Sequence, residues 1–256
     1  IGGMKSGKSS LQNAFFNRTD EPRPTLALSY QSCNIHAQEQ EKTLQFWELG
    51  SGMKLEQILN SIITPEIQKN FYVFICFNLN SFSSISDAIE WLPVILRRFK
   101  SGIGACFLVA THYDEFEEKD PSEKAKIING FFSLCYQYGS GLITFSPKDD
   151  FLISRFKSLV KSFVIPDVKK PDRVANHTGP TLIYPGDNTG AGTSGIQSFV
   201  SFVKAEMNKE TNSDKTGGIN AVEVEDKKYA DEEIDSVVRE QGKILDDKLK
   251  ALIASI

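Results

Sequence analysis

Eight residues near the start of the chain, Gly2-Gly3-Met4-Lys5-Ser6-Gly7-Lys8-Ser9, match the pattern G-x-x-x-x-G-K-[ST] position for position. Glycines at Gly2, Gly3 and Gly7 let a backbone wrap closely round a polyphosphate, with successive N–H groups and the start of the following helix aimed at negative charge. In such a loop Lys8 reaches the outer phosphate oxygens and the Ser9 hydroxyl ligates Mg²⁺. The candidate phosphate cradle is therefore Gly2, Gly3, Met4, Lys5, Ser6, Gly7, Lys8, Ser9 and Ser10. An empty loop kept for its shape is the alternative, because a fold can outlive its chemistry.

A phosphate loop normally follows a strand, and only Ile1 precedes this one, so the expectation is a domain whose first strand is missing from the sequence. After the loop, residues 9–17 have the spacing of a helix, and two prolines make residues 20–25 an extended loop. Strands are expected over 26–35 and 43–49, with a helix over 55–62. The apolar runs 71–78 and 105–111 have the composition of central parallel strands covered on both faces. Helices are expected over 84–100, with a kink at Pro93, over 121–138 and over 149–163, and a short strand over 141–145. Strands alternating with helices behind a phosphate loop predict an α/β fold: a Ras-like P-loop domain with a mostly parallel sheet.

The other parts of a nucleotide-hydrolysing site are only partly present. Thr25 is the candidate for a second Mg²⁺ ligand beside Ser9. Where a D-x-x-G element is expected the chain has Trp47-Glu48-Leu49-Gly50, with Trp47 in the acidic position. Glu48 comes one residue late, and strand alternation predicts that it faces away. Ser51 stands in place of a water-orienting glutamine. The base-reading element reads Thr111-His112-Tyr113-Asp114, in which Asp114 remains a hydrogen-bond acceptor while the usual Asn and Lys are absent. Ser146 and Lys148 follow the short strand and complete the base side. These residues allow GDP or GTP with Mg²⁺ to bind, or an empty loop. They do not assemble a hydrolytic centre, so no catalytic residue is assigned.

Three stretches, Asp20-Glu21-Pro22-Arg23-Pro24-Thr25-Leu26-Ala27-Leu28-Ser29-Tyr30, Phe46-Trp47-Glu48-Leu49-Gly50 and Lys228-Tyr229-Ala230-Asp231-Glu232-Glu233-Ile234-Asp235, resemble the light intermediate chains of cytoplasmic dynein, most closely the type serving the ciliary retrograde motor. The resemblance covers the phosphate loop to about Phe163, with patches beyond. It implies a non-motor, non-catalytic subunit docked on the dynein heavy-chain tail with other subunits of the complex. It further implies support of retrograde intraflagellar transport and cilium assembly, and a location in the cytoplasm, on the cytoskeleton, and in the cilium and its base. A shorter segment before Ala105 than is usual in that family is a departure. An active Ras-like GTPase switch is the competing reading.

Composition sets outer bounds. The 256 residues carry 29 basic and 33 acidic side chains, a net charge of −4, which gives no reason to expect nucleic-acid binding. No apolar run is long enough to insert in a membrane. Cys33, Cys76, Cys106 and Cys135 lack metal-ligand spacing, as do His36, His112 and His177, for which a surface or loop role is expected. Trp47 and Trp91 are expected to be core or docking aromatics. The domain is assigned to 1–165, a Pro/Gly/Asn/Thr-rich linker to 166–195, a short helix and polar segment to 196–218, and a C-terminal amphipathic helix to 219–256.

Overall fold

The computed structural model describes residues 1–37, 40–50, 52–99, 102–165 and 167–216. Residues 1–213 form one compact unit and 214–256 a second, of which only the end of the last described helix is placed. The helix predicted over 219–256, the residue Ser51 and the first linker residue Pro166 lie outside the described residues.

After the phosphate loop, α1 (Lys8–Phe15) leads through an extended stretch to an antiparallel hairpin of β1 (Leu28–Ala37) and β2 (Gln40–Leu49). A 3₁₀ turn (Gly52–Ile58) and α2 (Leu59–Ile62) replace the single helix expected there. Then come β3 (Tyr72–Asn78), α3 (Phe82–Arg98), β4 (Ala105–Thr111), a one-turn α4 (Tyr113–Phe116), α5 (Pro121–Tyr138), β5 (Gly141–Thr144) and α6 (Asp150–Val164). β6 (Leu182–Ile183) and α7 (Ile196–Thr216) complete the described chain.

The main sheet has the order β3-β4-β5-β6, parallel from β3 to β5 and closed by antiparallel β6. The fold is thus α/β with a mostly parallel sheet. Its central strands are apolar throughout because both faces are covered. Ile75, Phe77, Leu108, Ala110 and Leu142 join Trp91, Ile127, Phe131 and Phe199 on the side of α3, α5 and α7. The alternate residues Cys76, Phe107, Val109 and Ile143 join Leu11, Phe15, Phe156 and Leu159 on the side of α1 and α6. Ile1 extends the sheet beyond β3: its amino group donates to the Phe74 carbonyl at 2.9 Å, and its carbonyl accepts from the Cys76 N–H at 2.8 Å.

Local signals explain the helix limits. Ser81 caps α3 by accepting from the Ser84 N–H, and Asp149 caps α6 by accepting from Phe151 and Leu152. α5 begins with Pro121 in its first turn and Asp120 capping it by accepting from the Ser122 N–H, and ends at Gly139 in the left-handed conformation. α3 continues as one helix through Pro93.

The chain after α6 differs most from the reading of its composition. Part of the proposed linker is built into the domain: Val174 bridges Leu182, β6 pairs with β5, and Thr181, Leu182 and Ile183 are buried. The Thr181 N–H donates to Thr144 Oγ1 at 2.9 Å, so the polar groups entering the core are matched. α7 continues to Thr216, past the point where the polar sequence suggested a stop. Its Phe199 ring lies edge-on to Phe131, 5.4 Å between centroids, over the surface left by Gly130.

A Cβ at Gly130 would overlap the Phe199 ring. Gly130→Ala is expected to destabilise the domain by about 1–3 kcal/mol through overpacking, seen as a lower urea midpoint. A Gly130→Ala/Phe199→Leu double variant should recover part of the loss.

Candidate functional site

The phosphate loop lies at the C-terminal ends of the parallel strands, where open α/β sheets place ligand-binding loops. Gly2 has φ 141° and Gly7 φ 77°, both in the region that favours glycine. A Cβ at Gly2 would run into the Cys76 carbonyl of β3, and one at Gly7 would sit 3.0 Å from the Thr111 side chain of β4. The loop is therefore pressed against the ends of two strands. Lys5 also has positive φ, at 55°, and Met4 projects into solvent.

Gly7 precedes α1 without any side-chain cap, which leaves the first N–H groups of Lys8, Ser9 and Ser10 facing the loop's interior. That cradle suits a phosphate. Lys8 turns inward: its Nζ donates to the Gly3 carbonyl at 2.6 Å, the Gly2 carbonyl at 3.2 Å and Ser6 Oγ at 3.4 Å. Burial pulls the Lys8 pKa down from its ordinary value, opposed by the charges of Cys76, Glu48 and Asp87. The Asp87 carboxylate, from α3, packs so closely on Gly3 that a Cβ there would overlap it. Burial, then Glu90, raises the Asp87 pKa, with Lys8 acting in the opposite direction.

On the cation side the structure corrects the expected orientation of Glu48. Glu48 is buried and accepts a 2.6 Å hydrogen bond from Ser9 Oγ, while Trp47 is on the outer face of the hairpin against Tyr30. The reason is strand parity. Phe46 packs inward on Phe15 and Phe16, and Glu48, two residues on, shares that inner face. Alternation of Leu44, Phe46 and Glu48 was the signal that could have found it. Ser9, Glu48 and Thr25 line a common cavity of about 780 Å³ with Gln12, Asn13 and Ser29. An acidic oxygen, a hydroxyl and a threonine there form a donor set suited to a hard cation such as Mg²⁺.

On the base side, α4 directly after β4 brings Asp114 to the turn that follows β5. Asp114 Oδ1 accepts from Ser146 Oγ at 2.8 Å, and Oδ2 pairs with Lys148 Nζ at 2.8 Å. Burial alone would raise the Asp114 pKa, but the bonds from Lys148 and Ser146 outweigh it and hold the carboxyl below its ordinary value. Thr111, read from the sequence only as a missing asparagine, ties the two halves together. Its Oγ1 lies 3.1 Å from the Ser6 carbonyl of the phosphate loop and 2.9 Å from the Phe77 carbonyl of β3. Of the remaining predicted features, Trp91 is fully buried in the core and all four cysteines are free thiols. The His177 ring contacts Asn129 and Phe132 away from the site. Among the described residues no helix is long and apolar enough to cross a membrane.

A phosphate-loop motif at the C-terminal ends of a mostly parallel sheet flanked by helices is the arrangement of an α/β P-loop domain of Ras-like layout. No protein-family model matches the chain. It is similar to cytoplasmic dynein 2 light intermediate chain 1 of Mus musculus, 20% identical over a gapped alignment of 291 positions that covers 93% of this chain and 82% of the mouse protein. The Bos taurus protein of the same name is 21% identical over 73% of this chain, and the Homo sapiens one 20% identical over 73%, each match spanning 64% of the relative. Among solved structures, Methanosarcina barkeri Roco2 RocCORdC bound to GDP superposes with a TM-score of 0.44 at 18% identity, covering 63% of this chain and 46% of that one.

Because the Asp114 pKa is depressed on folding, its contribution to stability is present above the unfolded value, about 4, and is lost as pH falls through the folded one. Asp114→Asn should therefore be less stable than the native chain at pH 6, with the gap closing toward pH 3, measured by urea midpoints at the two pH values.

Proposed function

We propose that the chain is a non-catalytic light intermediate chain of a cytoplasmic dynein complex, of the kind that serves ciliary transport. The observation that carries this reading is the similarity to the mouse dynein 2 light intermediate chain over 93% of this chain. In it the domain docks on the tail of the heavy chain beside other subunits and supports retrograde intraflagellar transport and cilium assembly. The setting is the cytoplasm, the cytoskeleton and the base and shaft of the cilium.

The site supports nucleotide retention in this subunit rather than turnover. Gly2 to Ser10 would hold the phosphates, with Ser9, Glu48 and Thr25 at a bound Mg²⁺ and Asp114, Ser146 and Lys148 at the base of GDP or GTP. Bound Mg²⁺ would neutralise phosphate charge. The three acceptors already around Lys8 let the loop keep its form without a ligand, so the subunit role does not depend on occupancy.

A second reading, an active GTPase switch, is favoured by one observation: the Ser9 to Glu48 hydrogen bond makes the cation side more complete than the sequence indicated. Nucleotide extracted from denatured protein separates the two. Retained diphosphate without turnover, or none at all, is expected for the subunit, with any nucleotide lost in Lys8→Ala. Stoichiometric GTP converted to GDP on the protein would establish the switch instead. Separately, the chain is expected to co-purify with a heavy-chain tail fragment at micromolar concentrations; failure to do so would count against dynein assembly.

A further inference from the structure

Among the described residues β1 pairs with β2 alone, in an unbroken register from Leu28 opposite Leu49 to Ala37 opposite Gln40. The Gly50 N–H donates to the Ala27 carbonyl at 2.8 Å, and that pair continues the register by one step. Hydrogen-bonded and non-hydrogen-bonded pairs alternate along an antiparallel ladder, so the odd-numbered residues of β1 bond to β2. Leu28, Tyr30, Ser32, Asn34 and His36 therefore turn their N–H and C=O groups to the open edge. Among the described residues no backbone group meets them there.

Such an edge is usually guarded by charged side chains, a proline, a bulge or a very short strand, which keep other chains from adding to it. β1 has none of these. Its ten residues, Leu28–Ala37, include no proline, acid, lysine or arginine, and its pairing with β2 skips no position. The other edge of the hairpin differs: β2 carries Glu41, Lys42 and Glu48, and Lys42 Nζ donates to the Val164 carbonyl at the end of α6 at 2.8 Å. The hairpin's outward face is apolar near its start, where Tyr30 and Trp47 lie with ring centroids 4.5 Å apart and Leu28 is exposed on the same side.

We propose that β1 is the interface of a homodimer, pairing antiparallel with β1 of a second copy about a two-fold axis at Ser32. A strand added to this edge has to be extended and free of charges that the uncharged ladder would leave unpaired, and β1 itself meets both requirements. The axis sets Ser32 opposite its counterpart, Tyr30 opposite Asn34 of the partner subunit and Leu28 opposite His36 of the partner subunit. Outward N–H groups then face outward C=O groups along the strand, and the exposed faces of both hairpins lie on one side. An axis at Cys33 would leave Leu28 with no opposite residue inside β1. An axis between two residues would set the exposed face of one copy beside the inward face of the other.

The test is sedimentation equilibrium of the full chain, each variant first matched to native by circular dichroism. Native protein should show a reversible monomer–dimer equilibrium below about 100 µM. Ser32→Pro removes one outward N–H and no bond to β2, which an edge strand tolerates. Ser32→Lys sets like charges directly across the axis. Each should raise the dimer dissociation constant at least about tenfold. In a Cys33→Ser background, where the other cysteines are buried, a short bismaleimide should link Ser32→Cys between copies and leave Tyr136→Cys, exposed on α5, unlinked. A chain that stays monomeric at about 1 mM overturns the proposal, whatever strand its edge takes from another protein. So does a dimer that keeps native affinity in Ser32→Pro or Ser32→Lys, or one in which Ser32→Cys does not link.

Discussion

The site depends on a steric constraint: the phosphate loop has to lie directly on the ends of β3 and β4. Gly2 meets the Cys76 carbonyl at a separation that a side chain would not allow, and Gly7, at positive φ, lies so near Thr111 that a side chain there would push it aside. Because those strands are buried on both faces, they cannot retreat to make room. The loop's position is therefore inherited from the core, and Ser9, Asp114 and Ser146 take their places from it. Thr111 adds a polar tie to this apolar support, since one hydroxyl spans loop and sheet.

Lys8 gives that arrangement its dual character. A lysine ammonium buried among carbonyls loses hydration and regains it only in part through hydrogen bonds. Three acceptors from the same loop supply those bonds, and Glu48 and Asp87 supply opposing charge nearby. A phosphate entering the cradle has to compete for the ammonium with acceptors already in place. Such a loop can keep its form as scaffold with its ligand absent.

Much of this was legible in the sequence wherever a short-range rule decided the outcome. The loop pattern, the apolar runs of β3 and β4 and the Asp120-Pro121 start of α5 each carry their own local signal. The direction of Glu48 was misread because the motif spacing was followed in place of the apolar parity set by Leu44 and Phe46. β6 was hidden for another reason. Two residues, Leu182 and Ile183, in a stretch rich in Gly, Pro and Asn carry almost no periodicity, and their burial comes from the edge of β5. The role of Thr111 was illegible because it depends on three-dimensional convergence of Ser6 and Phe77 on its hydroxyl.

That late strand also bears on how the molecule comes together. β5 is buried throughout, and one of its edges is covered by residues some four tens along the chain. Until Leu182 and Ile183 leave the ribosome and fold back, the nascent sheet has an apolar strand with unpaired backbone groups on its flank. Pairing at such sequence distance is slow compared with the formation of local helices. The Gly- and Pro-rich segment that looks like a spacer therefore acts as the closing piece of the sheet, and it separates a self-contained nascent domain from one able to pair with its neighbours.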